Sequence, residues 1–217
     1  MDFIYIIREF WPMFVRGAGM TVYLTVVSAL FAFILGAIIA VMRVGPIRPL
    51  RAAASFYIEL MRAIPLLALM ILVLIGLPKV GIFYSTLNSA IVTLSIYTAA
   101  YVAEALRAGF RTVPKGQIEA ARALGMTFGK MFNNVLLPQS IRTVMPPLGN
   151  LLVSNIKATA LAGTIGVQEI YWVSARVNFD TAMSIAVFTV AALCYLAVAL
   201  PTGFFWNKLE LKMKIVR

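Results

Sequence analysis

The chain has 217 residues, is 62% hydrophobic with a mean hydropathy of +0.93, and carries a formal net charge of +11. Soluble domains are roughly half apolar, and one of this size could not hide so much apolar surface, so the composition implies a polytopic membrane protein. Arg and Lys cluster in particular loops between apolar spans, the pattern of membrane orientation, which argues against nucleic acid as a partner and for membrane lipid.

Residues 1–18 (MDFIYIIREFWPMFVRGA) mix Asp2, Arg8, Glu9 and Arg16 with aromatic side chains. A cleaved signal would begin with a basic segment and end at a small-residue site; this stretch opens with Asp2. It reads as a short amphipathic segment lying in the interface, with Trp11 and Phe14 as anchors. About 20 residues cross a hydrocarbon core of about 30 Å, and 19–42 is the first run long enough. Arg43, Arg48 and Arg51 with Pro46 and Pro49 then form a basic turn that should face the cytoplasm. A second span, 53–77, carries Glu59, Arg62 and Pro65, and the following turn, 78–84, holds only Lys79. The third span, 85–108, ends with Glu104 and Arg107. The most basic interval follows, from Arg107 through Arg111, Lys115, Arg122 and Lys130 to Arg142. A fourth, less regular span over 143–165 contains Pro146, Pro147, Lys157 and Gly163. Residues 166–182, with Glu169 and Asp180 against Arg176, read as external. The fifth span is 184–206, and 208–217 is a basic cytoplasmic tail. The pattern gives an all-α membrane protein of five transmembrane helices, N-terminus out and C-terminus in, the membrane domain running over 19–207. No internal repeat is evident, so the inverted-repeat plan of many secondary carriers has no support.

Chemistry is scarce. There is no histidine, the commonest general base, and Cys194, the one cysteine, can form no internal disulfide. No phosphate-binding G-x-x-x-x-G-K-[ST] loop occurs. No catalytic, cofactor or metal set emerges, and a membrane enzyme is disfavoured.

One cytoplasmic interval, 114–138, stands apart, centred on EAARALGMTFGKMFNNVLLP from Glu119 to Pro138. Pro114 precedes a helix, and Glu119 falls near its first turn, where a carboxylate suits the dipole. Ala120, Ala121 and Ala123 form helix with little bulk, Gly125 permits a bend or close contact, and Leu137–Pro138 ends a second half. The pattern reads as a compact knob that either docks into a partner or merely links two spans.

This knob resembles the EAA loop of ABC importer permeases, and three further segments agree with it. Glu59-Leu-Met-Arg62-Ala-Ile-Pro65-Leu-Leu is similar to the E-x-x-R-G/S-x-P-L-L signature on the second helix of polar amino-acid permeases. Ala100 to Gly109, running on through Val113-Pro114-Lys115-Gly116-Gln117, resembles the A-Y-x-A-E-x-x-R-A-G…I-P-x-G-Q run before their EAA loop. Asn155-Ile-Lys157-Ala-Thr159-Ala-Leu161 is similar to their K-D-T/S-S-L segment. Ala158 and Ala160 depart from that segment, which puts copied substrate contacts there in doubt. The chain is identified as a member of the polar amino-acid ABC importer permeases, which implies a type I ABC importer permease fold with a cytoplasmic coupling helix in a bacterial inner membrane.

The resemblance implies an ABC ATPase dimer holding ATP and Mg, a second permease subunit (identical or homologous), and an extracytoplasmic amino-acid-binding protein. Glu119, Ala120, Ala121, Gly125, Leu137 and Pro138 would meet the ATPase. A permease for methionine or an osmolyte is the nearest alternative, and an ion-coupled secondary carrier a more distant one.

An intramembrane charge costs about 2.5–3.5 kcal/mol on insertion scales. Glu59 and Arg62, three apart on a helix, can pair and either face the translocation path and a neighbouring subunit or simply hold the bundle. Lys157, between Asn155 and Thr159, lines a path or snorkels to an interface. Glu104 works against orientation, whereas Arg107 fits an inside anchor.

Overall fold

The computed structural model describes residues 2–83 and 85–213; Lys214 and Arg217 of the expected tail lie outside them. Among the described residues the regular structure is entirely helical: α1 (Asp2–Val44), α2 (Arg48–Ala63), α3 (Leu66–Ile71), α4 (Leu77–Lys79), α5 (Thr86–Phe110), α6 (Lys115–Ala123), α7 (Phe128–Met131), α8 (Leu137–Ala158), α9 (Ala160–Thr164), α10 (Ile170–Thr181) and α11 (Ser184–Met213). Wider π turns join α3 to α4 over Leu72–Gly76 and α7 to α8 over Phe132–Leu136. Three helices are long and apolar enough to cross a membrane, Asp2–Val44, Thr86–Phe110 and Ser184–Lys212, or four if the pair Arg48–Ala63 and Leu66–Lys79, broken at Pro65, counts as one.

Several sequence expectations change here. The segment 1–18 is not a separate interfacial helix but the first turns of the 43-residue α1, which continues through Pro12. Pro12 lacks an N–H and costs one backbone bond, and packing holds the helix regardless, because Ile6 and Phe14 are fully buried against α10 and α11. Trp11 stays half exposed, as an anchor would; Phe14 does not. The stretch 53–77 divides at Pro65, since the residue before a proline avoids helical backbone. The stretch 143–165 falls in α8 and α9, which do not form a long apolar helix; Pro146 and Pro147 lie within α8.

The chain divides into two compact units. The first takes residues 1–30, 64–95 and 152–204, and Ile6, Phe14, Ile170, Val173, Val177 and Val190 form its core. The second takes 31–63, 96–151 and 205–217, with Ile39, Ala40, Ala54, Ile58, Ala103 and Phe110 packed together. In this second unit the Trp206 indole N–H donates to the Met145 carbonyl at 2.6 Å and stacks near Phe33. A side chain on Gly149 would overlap Trp206, so a small residue is what seats the indole, as at many membrane helix contacts.

Candidate functional site

The knob is a built object in the second unit. Pro114 caps α6, its backbone extended at φ −56°, ψ 135°. At the other end Gly125 takes φ +71°, a conformation that costs other L-residues roughly 1–2 kcal/mol. Its N–H donates to Arg122 O at 2.9 Å, and Met126 N–H donates to Ala121 O at 3.1 Å. Those two bonds make a Schellman cap. Open space surrounds the Gly125 Cα within the chain, so the turn requires glycine for its dihedral angle and not for room.

Around that cap the expectations divide. Glu119 and Ala120 are exposed on α6. Glu119 lies beyond the first turn, which carries no acid. Ala121 points inward, 4% exposed among Val113, Met131 and Leu136; its small size holds α6 down and does not present an outer surface. Leu124, unremarked in the sequence, is 78% exposed beside Gly125. Leu137 and Pro138 are exposed but end nothing: α8 runs through them. The preceding π turn, Phe132–Leu136, lets the helix accommodate the missing proline N–H. Gln139 donates to Gln117, tying α8 to α6. Phe132 meets Phe110 edge-on at 5.3 Å between centroids, tying the knob to α5.

A second constellation in the same unit joins charges far apart in sequence. Glu59 pairs with Arg43, Oε1 to Nη2 at 3.9 Å, not with Arg62 as the three-residue spacing suggested. Arg62 instead lies over the Tyr101 ring, 5.7 Å from its centroid. The Tyr101 and Tyr97 hydroxyls are 3.0 Å apart. Arg107 Nε donates to Glu104 Oε2 at 2.9 Å, with a second contact between Nη2 and Oε1. Arg43 Nη1 is buried without a hydrogen-bond partner among the described residues. In sequence Arg43 reads only as an orienting cation; its place in this cluster has no local signature.

The first unit holds the remaining residues. Asn155 is 2% exposed and donates to Ser28 Oγ at 2.8 Å and to Thr25 O at 3.4 Å. Thr159 is buried, its hydroxyl donating to Ile156 O at 2.7 Å. Lys157, between them in sequence, turns outward and lines a cavity of about 300 Å³ with Ala160, Tyr195 and Leu196. One functional-looking group departs from the sequence expectation. Glu169, taken for an external loop acid, is fully buried. It accepts hydrogen bonds from the Thr21 hydroxyl at 3.5 Å, the Trp172 N–H at 2.9 Å and the Tyr195 hydroxyl. A side chain on Gly163 would collide with it. It stands one residue ahead of α10 as its N-cap, but glutamate is not a favoured capping residue, so no local sequence signal marked it.

Pro65 caps α3 at the break and is exposed. Among the described residues no group of three or more His, Cys, Asp or Glu could hold a metal ion.

A family described as "Binding-protein-dependent transport system inner membrane component" matches residues 7–215. The probable glutamine ABC transporter permease protein GlnM of Bacillus subtilis (strain 168) is 34% identical over 209 residues, 96% of this chain and 97% of the relative. A solved "amino acid ABC transporter with histidines" aligns with a TM-score of 0.89 at 31% identity, over 98% of this chain and 99% of that one. The MetNI methionine ABC transporter, solved in inward-facing conformations, aligns at 0.80 and 22% identity over 95% and 98%; that likeness shows the fold alone.

Proposed function

The chain belongs to the binding-protein-dependent transport system inner membrane components, and from that membership we propose that it carries a polar amino acid inward while a separate ATPase seated on α6 supplies the motion. It is an inner-membrane permease subunit with the all-α fold of type I ABC importer permeases, and it is not an enzyme. An ATPase and a substrate-binding protein are its partners by family. The glutamine permease relative and the amino-acid transporter structure support the substrate class over methionine or an osmolyte.

In this reading the chain crosses the membrane five times, N-terminus out and C-terminus in. The basic intervals around Arg43, Arg111 to Arg142 and Lys208 then share the cytoplasmic side. ATP and Mg are held by a pair of ATPase subunits, and a second permease, identical or homologous, completes the path. Glu59 and Arg62 are exposed on α2. Exposure of charge to hydrocarbon is costly, which favours a water-filled path or the second subunit at that face. ATP closes the ATPases, the seated knobs move with them, and the spans pass from inward to outward opening to receive the solute from the binding protein.

The observation that carries the coupling role is the exposed Glu119–Ala120 face ending in the Gly125 cap, braced by Phe110–Phe132 and Gln117–Gln139. Ala120→Trp should block seating without touching the packing of α6. Gly125→Val should misdirect the turn. We expect normal membrane insertion with at least about a tenfold loss of ATPase co-purification and of ATP-driven uptake in proteoliposomes, the scale of an interface hot spot. Unchanged uptake in both variants would sink the coupling role.

A further inference from the structure

Beside α6 the second unit forms an open cavity of about 360 Å³, within the range of about 300–1,000 Å³ that ligand sites occupy. Four cations line it: Arg51 from α2, Arg111 after α5, and Lys115 and Arg122 from α6. No carboxylate lines it, and none of the four forms an ion pair among the described residues. Most of the remaining wall is apolar, including Phe110, Ile118, Met131 and Leu136.

Four like charges around one hollow repel one another; all four are solvent-exposed, and salt reduces that repulsion over a Debye length of about 8 Å. An anion would relieve that repulsion. A small soluble anion would use the guanidinium groups but leave the carbon wall wet. A molecule with a phosphate at one end and hydrocarbon at the other matches both, and basic pockets among helix ends on the cytoplasmic side suit anionic headgroups. Arginine adds a planar fork that fits phosphate oxygens in pairs.

We propose that this cavity binds the phosphate of an anionic phospholipid, with the four cations on the headgroup and the apolar wall on the first carbons of the acyl chains. The assignment to the cytoplasmic leaflet rests on the orientation proposed above; the binding itself does not.

The test is native mass spectrometry of the assembled importer after exchange into micelles holding equal phosphatidylglycerol and phosphatidylcholine. Phosphatidylglycerol should be retained selectively. Arg51→Gln and Arg111→Gln should each lower its retention about fivefold, the effect of one cation near an anionic surface. Arg8→Gln and Lys79→Gln, which remove the same charge elsewhere, should leave it unchanged. Equal retention of both lipids, or an equal fall in the two control variants, would overturn the proposal. Displacement by millimolar inorganic phosphate would assign the cavity to a soluble anion instead. Retention by the permease alone that disappears when the ATPase binds would assign it to an acidic surface of that partner. Should external labelling place α6 outside the membrane while phosphatidylglycerol stays selectively bound, the lipid site stands and the cytoplasmic leaflet falls.

Discussion

In the first unit the buried polar side chains find partners inside the chain. Glu169 takes three donors, Asn155 gives to Ser28 and Thr25, and Thr159, at the junction of α8 and α9, gives to Ile156. In the second unit charges are left over: Arg43 Nη1 is buried without a hydrogen-bond partner among the described residues, Glu59 meets Arg43 only at 3.9 Å, and four cations line an apolar-walled hollow that no carboxylate lines. The contrast separates polar groups that specify a packing from polar groups that await something outside the chain. A satisfied buried network rigidifies. Unsatisfied charge beside hydrocarbon persists where another subunit, water or lipid completes it.

The contrast can be broken most severely at Glu169. Replacing it by Ala strands the Thr21 and Tyr195 hydroxyls and the Trp172 N–H, and each buried orphan costs about 1–3 kcal/mol. Glu169→Ala should therefore lower the unfolding temperature in detergent more than any single change in the charged cluster; an unaltered transition would show that the network carries no packing. Asn155→Ala removes the donor to Ser28 and Thr25 and should cost about 1 kcal/mol, again read as thermal stability, with assembly to the ATPase preserved. The smallest effect belongs to the second unit. Glu59→Arg sets a cation against the largely buried Arg43; with Glu59 itself exposed, the pair is worth on the order of 1 kcal/mol, and the change should lower uptake by no more than about fivefold. Arg43→Glu in the same chain should restore it. Restoration by Arg62→Glu instead would make the neighbour on α2 the true partner of Glu59.

What was legible in the sequence was whatever lies contiguous in the chain. Span-length apolar runs, the knob and its Gly125, and the four segments shared with the family are all local patterns. Long-range pairings were not legible. Glu59 had a cation three residues away that fitted helical geometry, and nothing in sequence favoured Arg43, sixteen positions upstream. Glu169 looked external because its interval is polar, although its partners come from Thr21 and Tyr195 on distant helices. Ala121 shared the small-residue pattern of Ala120, yet one step of about 100° around a helix separates an outward alanine from an inward one. Pro138 read as a stop because proline usually is one; the π turn that absorbs it has no compositional mark.

That π turn at Phe132–Leu136 has a consequence for the aim of everything downstream. A widened turn holds one residue more than the regular helix would place there, and each residue advances the spiral by about 100°. Losing a single amino acid in this interval would leave composition almost untouched while rotating Ser140, Val144 and Leu148 together, away from the neighbours they now meet. The phase of α8 is thus set at five positions, where an insertion or deletion acts on the whole helix and a substitution acts only on itself.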